Sequence, residues 1–202
     1  MKNLAQSLIL CVPLLYPLHT LADAKADKIR FVKKLYAHQA KIYNSYNAKM
    51  YNDYNNNSQK APKYHDAVEP YADTELAKAY AKAHQYDKLV DKILMGETLD
   101  ELCLQGVTQM YGGGQDWDTS VKRTYSVEKD GRVKVYFRPF KIPSAEHVTV
   151  RYRLKKYGNS YRVADMEIRS LDPDTKKVWH TPSYKASLYA CIEQQKKNYN
   201  FK

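Results

Sequence analysis

The chain has 202 residues and a formal net charge of +11, from 33 lysines and arginines against 22 aspartates and glutamates. In a cytosolic protein such an excess would point to nucleic acid. The N-terminal leader excludes that, along with the cytosolic pools of ATP and NAD(P)H, and leaves lipid head groups, lipopolysaccharide, cell-wall polymers or an acidic protein as the anions to consider.

Lys2 opens the chain, an apolar run covers Leu8 to Leu18, and Ala22-Asp23-Ala24 forms an A-x-A site. This is the pattern of a cleavable secretory signal over 1–24. Its apolar run is far short of the roughly 20 residues needed to span a bilayer, so the expected location is periplasmic or secreted. Cys11 lies inside the run behind Leu8-Ile9-Leu10, where a lipoprotein signal would want a small residue, so no lipid anchor is expected. The remaining stretch, 25–202, is the length of one domain. No transmembrane run and no solenoid repeat occur beyond the leader. The lysines stand in scattered pairs, such as Lys33-Lys34 and Lys155-Lys156, so the charge reads as a basic bias on a solvated surface.

A long helix is expected from about Asp27 to Tyr51, because Ile29, Val32, Tyr36, Gln39, Tyr43, Tyr46 and Met50 recur at three- and four-residue spacing. Asparagines and tyrosines then take over, and with Pro62 and Pro70 they mark a long loop over 52–70. Asp73 is the next cap. Leu76, Tyr80, Ala83, Leu89 or Val90, Ile93 and Leu94 describe one helix or two consecutive ones, and Leu99 to Val107 a further short piece. Gly112-Gly113-Gly114 makes a flexible corner.

From Thr119 the apolar period becomes two. Val121, Arg123, Tyr125 and Val127 alternate with polar neighbours, and Asp130-Gly131 signals a hairpin with a two-residue type I′ turn. Val133, Val135 and Phe137 lie on the return strand. Val148, Val150, Tyr152 and Leu154 form a third strand and Tyr161 to Arg169 a fourth, joined at Tyr157-Gly158-Asn159. A last helix is expected after His180, with Thr181 as cap and Pro182 in first position. Tyr184, Leu188, Cys191, Ile192 and Gln195 share its face.

Helices followed by a run of antiparallel strands give an α+β domain: a long N-terminal helix and further helices on a curved antiparallel sheet of about four strands, plus a C-terminal helix. The arrangement resembles the cone-shaped fold of the nuclear transport factor 2 superfamily, in particular its small exported bacterial members without assigned function. The resemblance rests on Gln115-Asp116-Trp117 before the sheet and on the strand Tyr161-Arg162-Val163-Ala164-Asp165-Met166-Glu167-Ile168. It implies a ligand-sized cone and a homodimer through the open sheet face. Tyr161 stands where tryptophan is common, and the terminal helix is an addition.

Two mature cysteines, Cys103 and Cys191, favour one disulfide in an oxidising compartment, with two buried thiols as the alternative. Asp165 is the one weak catalytic candidate. Facing the cone beside Tyr161 and Val163, it would be a carboxylate of raised pKa, in the manner of ketosteroid isomerase. If Met166 and Ile168 face the core instead, after a bulge, Asp165 is solvated or paired with Arg151 or Arg153. Asp116, Trp117 and Asp118 are a second candidate group, able to meet a partner behind the three glycines; in the alternative, Gln115 and Asp116 hold the loop to the sheet edge and Trp117 plugs the end of the core. Nineteen tyrosines against four phenylalanines, with Tyr43, Tyr46, Tyr51 and Tyr54 crowded together, suit a contact surface. No metal-ligand spacing, nucleotide fingerprint or serine-hydrolase motif occurs, and no cofactor is expected.

These observations order three readings. The first is a non-enzymatic periplasmic binding protein that contacts another protein of the envelope, such as an inhibitor or immunity protein against a toxin. The second is a carrier of a lipid or other apolar anionic small molecule in the cone. The third is an isomerase- or dehydratase-like enzyme using Asp165.

Overall fold

The computed structural model describes residues 16–55, 67–94, 102–104, 118–142 and 145–201, with the backbone alone at 16–22 and 50–55. The elements run α1 (Tyr16–Asn55), a short 3₁₀ turn (Glu69–Tyr71), α2 (Thr74–Leu94), β1 (Thr124–Val127), β2 (Val133–Phe137), β3 (His147–Tyr157), β4 (Ser160–Leu171), β5 (Val178–Thr181) and α3 (Tyr184–Tyr199). The strands form one antiparallel meander in the order β1-β2-β3-β4-β5. The fold is α+β, with helices on an open sheet, and the sheet has five strands rather than four.

α1 is a continuous helix of 40 residues, about 60 Å long at 1.5 Å per residue. It begins before Asp27 and carries Asn52 to Asn55 as helix, four residues into the segment expected to be loop. Asparagine is a poor helix former, but a helix that is already nucleated extends at little cost per residue. The Ala22–Ala24 site lies within it, and Gln115–Trp117 and most of the 52–70 segment lie outside the described residues. The buried part of α1 is short: Phe31, Val32, Leu35, Tyr36 and Gln39, one stripe at three- and four-residue spacing.

α2 is a single helix. Asp73 caps it, its Oδ1 accepting from the Leu76 N–H at 2.9 Å. Leu76, Ala79, Tyr80, Ala83 and Val90 are buried, whereas Ile93 is exposed. α3 starts later than expected. Val178 to Thr181 are taken by pairing with β4, and Ser183 is the N-cap, its Oγ accepting from the Ala186 N–H at 3.1 Å. Tyr184, Leu188, Ile192 and Gln195 form its buried face. Among the described residues no helix is long and apolar enough to cross a membrane.

The β1–β2 connection also departs from expectation. The Gly131 N–H donates to the Glu128 carbonyl at 3.0 Å and only Gly131 takes positive φ (+82°), so Asp130 stays in an ordinary conformation. This is a longer turn closed by a left-handed glycine, not a type I′ pair. The β3–β4 turn is tight, with Tyr157 paired to Ser160 and Gly158 at φ +56°.

Val133, Val135, Phe137, Val148, Val150, Tyr152, Met166 and Ile168 make the inner face of the sheet and pack on the helices. The register of β4 sets which of its side chains join them. Arg153 pairs with Asp165 and Leu154 with Val163, so Ala164 is an extra residue. This bulge lets Val163 and Met166 both point inward and turns Asp165 to the other face.

Candidate functional site

Asp165 is a structural carboxylate. Its Oδ2 accepts from the Ser183 Oγ at 2.6 Å, and its Oδ1 from the Lys185 N–H at 3.0 Å and the Met166 N–H at 2.8 Å. Lys185 is the second residue of α3, so Asp165 satisfies an N–H that has no partner within the helix. Negative charge here also complements the helix dipole. Of the two readings of Asp165, Met166 and Ile168 do face the core after a bulge; Asp165 is turned from the inner face to α3, and among the described residues it forms no ion pair with Arg151 or with Arg153, its neighbour across the ladder.

Other buried acids are committed in the same way. Asp87 accepts from the Cys103 N–H at 2.6 Å, the Leu104 N–H at 2.9 Å and the Gln195 Nε2 at 2.8 Å. It ties α2, the 102–104 segment and α3 together beside the Cys103–Cys191 disulfide, whose Cα atoms are 5.8 Å apart. Asp73 pairs with the Lys155 ammonium at 2.6 Å. Burial pushes its pKa up, but Lys155 and the Leu76 N–H outweigh burial and hold it below the usual value. On the outer sheet face Glu167 bridges Arg132, Arg151 and His180, and Arg151 also meets Glu128. Burial acts upward on Glu167, and the His180 hydrogen bond together with the Arg151 and Arg132 guanidiniums brings it below its ordinary value.

Beneath the sheet, aromatic rings fill the space beside α1. Tyr36 stands edge-on to Tyr125, Phe137 and Tyr152 with ring centroids 6.0 to 6.2 Å apart. The Tyr152 hydroxyl donates to that of Tyr36 at 3.2 Å. The Arg123 guanidinium lies 4.9 Å from the Tyr36 ring centroid. Burial pushes the Tyr125 phenol up, against Arg123.

A cleft of about 500 Å³ opens where α1 passes the 3₁₀ turn and the β3–β4 hairpin. α1 contributes Asp27, Arg30, Phe31, Lys34 and Leu35, the 3₁₀ turn Tyr71, and the hairpin Asn159, Ser160 and Tyr161. Phe31 is the centre of the floor. Its ring is 5.9 Å from that of Tyr71, edge-on, and 6.1 Å from that of Tyr161, tilted. The walls are fastened to each other. The Arg162 guanidinium donates to the Pro70 carbonyl at 2.8 Å, the Asp73 N–H donates to the Val163 carbonyl at 2.8 Å, and Ala72 bridges Val163. Arg30 pairs with Asp27 one turn back on α1, both well exposed. Lys34 is exposed.

Tyr161 thus lines this cleft. Tyr43 and Tyr46 are half-buried on α1, Tyr43 against the core, and the side chains of Tyr51 and Tyr54 lie outside the described residues. The residues that reasoning along the chain missed are Phe31, Lys34, Tyr71 and Asp87. Phe31 and Lys34 are one turn apart, a visible signal. Nothing local links them to Tyr71 or Tyr161. The chain matches no protein-family model, no curated protein and no solved structure.

Proposed function

We propose that this chain is an exported, non-enzymatic binding protein of the cell envelope, and that it meets an acidic partner at the cleft between α1, the 3₁₀ turn and the β3–β4 hairpin. The carrying observation is the make-up of that cleft: the Tyr71 and Tyr161 rings, each packed on Phe31, under a rim with Arg30 and Lys34. Aromatic rings give contact area at small entropic cost, and the positive rim speeds encounter with an acidic partner. Lys156 on the adjoining hairpin is exposed and adds to the same field. The disulfide supports an oxidising compartment. The hydrogen bonds that commit Asp165 to α3 support the non-enzymatic reading over an isomerase-like one. The filled space around Tyr36 weighs against a carrier that uses the concave side of the sheet there. Kinship with the nuclear transport factor 2 superfamily is part of the same proposal, supported by helices leading into a bulged antiparallel meander.

Site-specific photo-crosslinking in the envelope tests this. A photoreactive residue in place of Tyr161 is expected to give a discrete adduct that one in place of Thr149, on the outer sheet face, does not. Equal labelling at both positions, or none at Tyr161, refutes the cleft as the contact surface.

A further inference from the structure

We infer that the ligand group entering this cleft is an acidic saccharide, a sugar ring that carries a carboxylate. The inference rests on the binding reading above and names its chemistry. A sugar has one face of C–H groups and an edge of hydroxyls, and the cleft offers a partner for each. Tyr71 and Tyr161, both half-buried, supply apolar ring surface and are backed by the buried Phe31. Asn159 and Ser160 supply a neutral amide and a hydroxyl at the mouth, and Asp27 a carboxylate able to accept from sugar hydroxyls. A peptide would bring backbone N–H and C=O groups to the same polar side chains, so the tyrosine ring surface is what favours a sugar face. Lys34 makes no ion pair among the described residues, so its ammonium is available to the ligand carboxylate. Among the described residues Arg30 is held only by the exposed Asp27 pair, which is weak enough to exchange. A cleft of about 500 Å³ lies within the range of small-ligand sites. Its walls are joined by the Arg162–Pro70 and Asp73–Val163 hydrogen bonds, so little ordering remains to be done on binding.

The test is titration calorimetry of the disulfide-bonded protein with a galacturonate trimer, a neutral maltose-type trimer and a short glutamate peptide, repeated with Tyr161→Ala and Lys34→Gln. Both substitutions are at partly or fully exposed positions, and circular dichroism checks that the variants are folded. The galacturonate is expected to bind and the neutral sugar to bind more weakly. Tyr161→Ala should lower galacturonate affinity about tenfold through the lost ring contact. Lys34→Gln should lower it by a factor of about five, an effect that shrinks in high salt. Equal loss at Lys34 for the glutamate peptide, with no dependence on Tyr161, overturns the saccharide inference and leaves the binding reading standing. No binding by any of the three overturns the saccharide inference, and the crosslinking at Tyr161 then decides the binding reading alone.

Discussion

Removing the Asp165 carboxylate should loosen α3. In Asp165→Ala the Lys185 N–H loses its acceptor and the Ser183 hydroxyl loses the group it donates to. Hydrogen bonds to a charged group contribute about 1.5–3 kcal/mol each net, and a favourable charge at a helix N-terminus adds about 0.3–1 kcal/mol. With the Met166 N–H, three bonds share one carboxylate at a half-buried position, so we expect a loss of about 2–4 kcal/mol. In a domain of this size that lowers Tm by roughly 5–15 °C. Asp165→Asn keeps one acceptor oxygen, and its amide can donate to the Ser183 oxygen if that hydroxyl rotates. It should cost about 1 kcal/mol, mostly lost charge at the helix end. Urea unfolding followed by far-ultraviolet circular dichroism measures both. A double-mutant cycle with Ser183→Ala should show coupling of at least about 0.5 kcal/mol. An Asp165→Ala protein as stable as the wild type to within about 0.5 kcal/mol would refute the capping role.

The other anchored groups give three more expected outcomes. Breaking the disulfide with Cys103→Ser and Cys191→Ser frees a loop of 88 residues, a loss of up to about 4–5 kcal/mol on a chain-entropy model; a urea midpoint unchanged by the substitutions would contradict it. Asp87→Ala leaves the Cys103 and Leu104 N–H groups without their acceptor, at a cost of about 3 kcal/mol, and amide exchange at those two residues should accelerate; unchanged exchange would count against the three-way tie. Asp118 is held down to about 2 by Ser120 and Lys141. A lowered carboxylate stabilises the fold above its unfolded value of 3.8, and that contribution is lost as pH falls through about 2. Carboxyl NMR should give a midpoint near 2 that rises toward 3.8 in Ser120→Ala; an ordinary midpoint in the wild type would remove these contacts as its cause.

Local pattern alone determined the elements whose periodicity is long and regular. The α1 stripe, the α2 face capped by Asp73, the alternation Val148-Val150-Tyr152 and the α3 face could be read because side-chain direction repeats with backbone geometry. The Cys103–Cys191 pairing came from there being two cysteines outside the expected leader and from the oxidising compartment that the leader implies. Tertiary structure decided the rest. β5 is only four residues long, exposed along most of its length, and exists by pairing with β4, so no apolar period announces it. The bulge at Ala164 depends on the match between β3 and β4, and it alone settles whether Asp165 faces inward or caps α3. The cleft joins Phe31, Tyr71 and Tyr161 across three separate elements. Such contacts depend on how the helix crosses the sheet, which is a property of packing and not of any one segment.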